Sequence, residues 1–340
     1  MSLPSKTAQV FFTAKEQAEL REAPVAAPKE GEVFVRSTWT LISTGTETIC
    51  YGRRFDPGTH WENWVKYPFA TGYSQAGVVE AVGAGVTAYK PGDRVCSIHG
   101  HALHVCGPAN TFYPIPEGIS ERDAAWFTLS YIVQNGIRRA HHELGEDVVV
   151  IGLGPLGQLA VQFVKQLGPR RLIALDPIQK RLDWAKKFGA THVLGMSVDE
   201  ALPQAQALTG GRLADAVYDM TGNDKVFARA LDYLRKLGKL VLIGDTGTPA
   251  GQHLTGALIT KSLQVIASHA TNTPPQDTPW AHWTRENMIQ LFFEYLKSGR
   301  MNVGELNTHA FSPAQAQEAY QLVLHKRAET MGVHFDWSKL

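Results

Sequence analysis

The stretch VVVIGLGPLGQLAVQFVKQLG, Val148 to Gly168, constrains the fold of this chain more than any other. Val148 to Ile151 form a short β-branched apolar run, as expected of a parallel strand buried on both faces. The turn that follows reads Gly152-Leu153-Gly154-Pro155-Leu156-Gly157. Beyond it Leu156, Leu159, Ala160, Phe163, Val164 and Leu167 recur at helical spacing and make one apolar face. The order is strand, glycine turn, helix. Gly152 permits a tight turn, Gly154 lets a pyrophosphate approach the backbone, and Gly157 lets the helix pack close to the strand. The helix start, carrying Pro155 and Leu156, offers free N–H groups and a positive dipole end to phosphates.

A glycine turn alone is weak evidence, but this one has a partner. A second strand, Arg171 to Leu175, ends at Asp176. A carboxylate there accepts hydrogen bonds from both ribose hydroxyls of NAD and repels the extra phosphate of NADP. Lys180 and Arg181 lie nearby and leave NADP as the less favoured alternative. The bland reading of Asp176 is a cap for the next helix. The alternation continues through strands at 191–195, 215–222, 239–247 and 262–269, with helical stretches between them. Such a series predicts an α/β fold with a doubly wound parallel sheet, whose ligands bind beyond the carboxyl ends of the strands. Thr221, Gly222, Gly244 and Ser268 fall there, so they join the expected coenzyme site.

The rest of the chain reads differently. At 340 residues it is too long for one small core, so a second domain is expected. Up to about residue 129, short strands are separated by Gly/Pro turns, which predicts a mainly β domain. The dinucleotide domain then spans 130–269, and 270–340 returns to the β domain, being too short for a core of its own. The net charge is +1 with no basic patch, which argues against nucleic acid as a partner. No window is long and apolar enough to cross a membrane, and no signal peptide is visible, so the cytoplasm is the default location. The cysteines are Cys50, Cys96 and Cys106, too few for a four-cysteine zinc site.

Taken together, GYSQAGVVEAVGAGVTAYKPGDRV, the glycine-turn unit, DAVYDMTG and THAFSPAQAQEAY resemble the medium-chain dehydrogenase/reductase superfamily, which includes the zinc alcohol and polyol dehydrogenases. The likeness covers nearly the whole chain. It implies a GroES-like catalytic domain beside a Rossmann domain, a small-molecule substrate and a homodimer or homotetramer. ISTGTE and the closing MGVHFDW look closest to a branch that includes bacteriochlorophyllide dehydrogenase. The family's zinc normally uses a Cys, a His and a further Cys or Glu. Thr44 takes the place of the Cys, Tyr73 that of the His, and Thr128 falls near the third position. Hydroxyls are not usual zinc ligands, so no zinc is expected. The family's cysteine-rich structural lobe is also missing. A rival metal reading comes from Cys96, His99, His101, His104 and Cys106, in which His99 and His101 would share a strand face.

Hydride transfer without zinc needs another stabiliser for the substrate oxygen. Thr46 sits at the family's proton-relay hydroxyl, Tyr73 offers a phenol at a former ligand position, and Glu47 keeps a carboxylate able to orient Thr46, Tyr73 or a water. The aromatic run Tyr51, Phe55, Trp61, Trp64, Tyr67 and Phe69 is either a substrate wall or a packed loop, and Arg53 and Arg54 offer charge to an acidic substrate group. The expected activity is a zinc-independent, NAD-dependent oxidoreductase acting on a secondary alcohol or ketone, such as a sugar, a polyol or a ring-bearing hydroxyl. The alternatives are a zinc-free NADPH-dependent enoyl or quinone reductase, or a nucleotide-binding protein without turnover.

Overall fold

A computed structural model describes residues 3–340. Its contacts form two compact units, one comprising the chain up to Arg54 with His60–Thr128 and Ile289–Leu340, the other Phe55–Thr59 with Leu129–Met288.

The first unit is mainly β. Strands β1 (Lys6–Ala14) and β2 (Gln17–Pro24) pair as an antiparallel hairpin, with the short β4 (Phe69–Ala70) on the far side of β1. The larger sheet is built on β3 (Glu32–Leu41), which pairs antiparallel with β5 (Gln75–Val82) and β7 (His104–Pro108). β6 (Arg94–Ser97) and β8 (Phe112–Pro114) extend it beyond β5. Val33, Val35, Val79, Val95, Val105 and Phe112 pack together from these strands. They are the inward positions of alternating β patterns, which is why the strands face one core.

The second unit holds a six-stranded parallel sheet. Its strands are β9 (Asp147–Ile151), β10 (Arg171–Leu175), β11 (His192–Leu194), β12 (Ala214–Asp219), β13 (Leu234–Leu242) and β14 (Gln264–Ala267). The order across it is β11-β10-β9-β12-β13-β14. It reverses direction at β9, and this switch point brings the end of β9 beside those of β10 and β12. All five residues of β9 are buried, as the run of β-branched side chains predicts.

The chain rejoins the first unit through β15 (Asn307–Phe311) and β16 (Gly332–Asp336), and β16 pairs with β3. The return begins at residue 289 rather than 270. Backbone ties explain the difference: the Gln134 side chain donates to the Met288 carbonyl at 2.7 Å and that of Asn135 to the His269 carbonyl at 3.0 Å. Among the described residues no helix is long and apolar enough to cross a membrane.

Candidate active site

A candidate catalytic cluster in the first unit lies where β3 ends. Residues Ser43 to Thr46 turn the chain into the helix Thr46–Gly52, so Thr46 and Glu47 stand on its first turn. The Tyr73 hydroxyl donates a hydrogen bond to the Ser43 hydroxyl, and Thr46 is its second hydroxyl neighbour. Tyr73, Ser43 and Thr46 thus form one cluster of three hydroxyls. The Thr128 hydroxyl donates to the Tyr73 carbonyl at 3.0 Å, which brings that expected position to the cluster as well. Thr44 is buried, and its carbonyl accepts from the Thr48 hydroxyl at 2.6 Å.

Burial pushes the Tyr73 phenol well above its ordinary value; Ser43 and Thr46 pull it back in part, and the Glu47 carboxylate raises it further. The phenol is therefore protonated across the physiological range, in the state that donates a proton.

Glu47 is placed differently from its expected role. Its Oε1 accepts from the Ser43 amide at 2.7 Å, and its Oε2 accepts from Thr71 Oγ1 at 2.9 Å, His101 Nε2 at 3.0 Å and Tyr320 Oη at 2.5 Å. It reaches the hydroxyl cluster through Ser43, and its recorded partners include neither Thr46 nor Tyr73. Burial would raise its carboxyl, but His101, Tyr320 and the Ser43 amide outweigh burial and hold it below the usual value. Ser43 and Tyr320 were not singled out from the sequence, although Ser43 adjoins Thr44, and His101 was read there only as a rival metal ligand.

The histidine-rich stretch comes apart. Residues 98–103 lie outside the named strands, so His99 and His101 do not share a strand face. His99 bonds Ser97 at 2.9 Å and stacks on Phe112; His101 faces Glu47; His104 lies 3.6 Å from Glu80. No group of three or more His, Cys, Asp or Glu able to hold a metal exists among the described residues. The aromatic run mostly packs on itself. Tyr51 is buried against Phe12 and Tyr320, Trp61 is buried, and the Tyr67 hydroxyl donates to the Cys50 carbonyl at 2.8 Å. Trp64 stays half exposed. Arg53 lies 3.8 Å from Glu62.

The second unit carries its own candidate site, the glycine turn. Gly152 has φ +87°, a left-handed conformation that glycine adopts without strain. A Cβ on Gly157 would sit 2.0 Å from the Gly152 carbonyl oxygen, so only glycine permits this helix-to-strand packing. A Cβ on Gly154 would meet nothing within 4 Å, which leaves the space before the helix Pro155–Lys165 open on the side a pyrophosphate needs. Asp176, at the end of β10, is held against this turn. Its Oδ2 accepts from the Leu153 amide at 2.8 Å and its Oδ1 from the Ile178 amide at 2.9 Å, with Arg181 Nη1 3.4 Å from Oδ2. Oδ1, with one donor, keeps acceptor capacity for a ribose hydroxyl.

Thr221 donates from its amide and hydroxyl to Asp219 at 2.9 and 2.6 Å. Gly222 and Gly244 lie back to back, since a Cβ on Gly244 would fall 2.6 Å from the Gly222 nitrogen. The Ser268 hydroxyl is buried without a hydrogen-bond partner among the described residues. An open glycine turn, a fixed carboxylate and an orphaned buried hydroxyl fit a dinucleotide.

Comparison with known proteins matches two stretches of the chain. The family described as zinc-binding dehydrogenase matches residues 155–285, and the alcohol dehydrogenase GroES-like domain matches residues 29–117. D-guloside 3-dehydrogenase from Escherichia coli (strain K12) is 27% identical over 96% of this chain and 99% of its own length. Sorbitol dehydrogenase from Bacillus subtilis (strain 168) is 26% identical over 79% of this chain and 81% of its own. A short chain alcohol dehydrogenase from E. coli CFT073, solved in complex with cofactor NADH, superposes with a TM-score of 0.81 at 20% identity, covering 98% of this chain and 100% of that one.

Proposed function

The chain belongs to the medium-chain dehydrogenase/reductase superfamily of zinc-type alcohol dehydrogenases, and from that premise we propose that it is a NAD-dependent oxidoreductase interconverting a secondary alcohol and a ketone on a sugar or polyol, with the Tyr73 hydroxyl in the place of a metal. The observation that carries this reading is the cluster of Tyr73, Ser43 and Thr46 hydroxyls, in which the resemblance gives Tyr73 a ligand position and Thr46 the proton relay. Thr44, Tyr73 and Thr128 supply hydroxyls where zinc requires thiolate, imidazole or carboxylate, so the donor set does not fit that ion. Relatives that act on a guloside and on sorbitol support a polyhydroxylated substrate.

The nicotinamide coenzyme supplies the hydride in reduction and accepts it in oxidation. Gly152, Gly154 and Gly157, with the helix start at Pro155 and Leu156, bind its pyrophosphate. Asp176 orients the ribose. Thr221, Gly222, Gly244 and Ser268 line the carboxyl ends of β12, β13 and β14. As a carbonyl is reduced, Tyr73 Oη hands its proton to the oxygen, while Thr46 donates a hydrogen bond to that oxygen. The phenolate left behind is held by the Ser43 hydroxyl until it is reprotonated. The reverse reaction starts from the phenolate and takes the alcohol proton.

Asp176 also favours NAD over NADP, which weighs against the NADPH-dependent enoyl reductase reading. Replacing Asp176 with Asn is expected to weaken NADH binding roughly tenfold, the scale of losing a charged hydrogen bond, and to leave NADPH binding equal or tighter. Fluorescence titration with both coenzymes checks this.

The test of the whole reading uses NADH oxidation with D-fructose, methyl 3-ketohexosides and cyclohexanone, NAD reduction with sorbitol and methyl gulosides, and metal content of the same sample. Turnover of a ketone–alcohol pair without bound zinc is expected. NADH binding with no turnover across the panel would favour the non-catalytic alternative, and one zinc per chain would overturn the metal-free mechanism.

A homodimer or homotetramer belongs to the same proposal. β14 is an edge strand of a parallel sheet, and Leu254, Ile259 and Val265 around it are exposed, although such sheets are normally covered. Between Gln252 and Ser268 the only Lys, Arg, Asp or Glu is Lys261, whose amine already bonds the carbonyls of Asp232 and Leu234, so a second copy meets little charge repulsion there. Val265→Lys is expected to shift sedimentation toward the monomer; an unchanged sedimentation coefficient would remove this edge as the interface.

A further inference from the structure

Glu47 is held by protein donors on both oxygens. Thr71, His101 and Tyr320 crowd Oε2 and the Ser43 amide takes Oε1. The carboxylate is thus committed chiefly to the protein, with one lone-pair site left on Oε1. Glu47 and His101 are both buried, and a buried carboxylate survives only when its donors are kept in place. Those donors come from distant stretches of one unit: Thr71 from the turn before Tyr73, His101 from the bend before β7, and Tyr320 from the helix Ala316–His325. Since the carboxylate only accepts, His101 Nε2 must donate. Its Nδ1 is buried without a partner among the described residues, so the ring is oriented by this one hydrogen bond and by edge-on packing against Phe335. On the other side the same carboxylate grips the backbone of Ser43, whose hydroxyl holds Tyr73.

We propose that His101 and Tyr320 are positioning residues of the reaction, acting through Glu47 to hold the Ser43–Thr46 turn and to keep the Tyr73 hydroxyl a proton donor. This rests on the reading of Tyr73 as the group that exchanges a proton with substrate. It assigns a task to two residues that stand at neither the relay nor a former ligand position. Charge gives a second effect beside geometry. The titratable groups recorded around Glu47 are His101, Tyr320, Tyr73 and Cys50, and all but His101 are acids whose anions it opposes. Burial first, and then this fixed negative charge, disfavour the Tyr73 phenolate. The site is thereby biased toward giving a proton to a ketone rather than taking one from an alcohol.

Alkaline titration of tyrosinate absorbance tests the charge effect without any substrate. Glu47→Gln is expected to ionise more tyrosine at a given alkaline pH than the native protein does, with burial still holding Tyr73 above the ordinary range for an unperturbed phenol. Adding Tyr73→Phe should remove the Tyr73 part of the gain, and adding Tyr320→Phe the part due to Tyr320, whose anion Glu47 also opposes. No gain, or a gain that Tyr73→Phe leaves undiminished, overturns the charge effect.

Kinetics with NADH and D-fructose test the positioning. Tyr320→Phe and His101→Leu should lower kcat roughly 10- to 100-fold, the cost of a displaced reacting group, with NADH affinity unchanged. His101→Gln, whose amide still donates, should recover most of the loss. Tyr320→Phe removes a single oxygen, so it carries the test if Glu47→Gln does not fold. Unchanged kcat and pH profile in Tyr320→Phe and His101→Leu would sink the positioning role even where Tyr73→Phe is inactive. If Tyr73→Phe itself stays active, the reading of Tyr73 as the proton donor falls instead, and the titration still decides what Glu47 does to Tyr73.

Discussion

Tyr73→Phe lowers kcat for ketone reduction by about 10²- to 10⁴-fold, the range that general acid catalysis contributes, and leaves NADH affinity unchanged. The substitution removes only the oxygen that donates to Ser43, so the ring still fills its place. Tyr73 and the glycine turn belong to different units of the chain, which is why coenzyme binding is spared. The loss should be smaller for Thr46→Val, because Thr46 donates one hydrogen bond and gives up no proton. The sign of the pH effect follows from the raised phenol. A group kept protonated well above its ordinary value supports reduction over the whole neutral range, and the reduction rate falls only as pH rises toward the pKa of the phenol in the site. Oxidation needs the phenolate, so its rate climbs with pH over the same interval. Parallel pH profiles of both directions, with and without Tyr73→Phe, check this. A Tyr73→Phe enzyme with native kcat would move the proton-transfer role to Thr46 or to a bound water.

The dinucleotide half was legible because its information is local. Glycine spacing, a strand of β-branched residues and an aspartate at the end of the next strand lie within some thirty residues, and each has one physical reading. The β domain was legible as a class, yet its first hairpin was not read. β2 is QAELREAP, largely exposed and only weakly alternating, so its polar face hides the strand. The catalytic half shows a different limit. Thr46 and Tyr73 could be placed by position, and the structure brings them together. Glu47 was visible as a carboxylate, but its task was not, since its partners lie 24, 54 and 273 residues further along the chain. His101 looked like a metal ligand because strand alternation would align it with His99. The bend between β6 and β7 turns His101 inward to Glu47 and leaves His99 beside Phe112. Contacts made across such separations are set by tertiary packing, which no local pattern encodes.

Two substitutions in the glycine turn separate packing from binding. Gly157→Ala places a methyl 2.0 Å from the Gly152 carbonyl oxygen and 2.9 Å from its carbon, both backbone atoms that cannot rotate away. The helix must lift from β9, at a cost of about 3 kcal/mol, the upper end of overpacking effects. Melting should fall by roughly 2–4 °C for each kcal/mol. NADH binding should weaken at least about tenfold, because the helix start no longer points at the phosphates. Gly154→Ala behaves oppositely. Gly154 has φ −67°, which alanine adopts freely, and its Cβ meets no protein atom within 4 Å. Its melting temperature should therefore stay within error of the native protein, since surface changes of this kind usually cost under ~0.5 kcal/mol. Its NADH affinity should still drop, because the methyl enters the space the pyrophosphate needs. Thermal unfolding and NADH titration of both variants decide the matter. If Gly154→Ala binds NADH as tightly as the native chain, the coenzyme does not lie over this turn, and the whole assignment of the second unit fails with it.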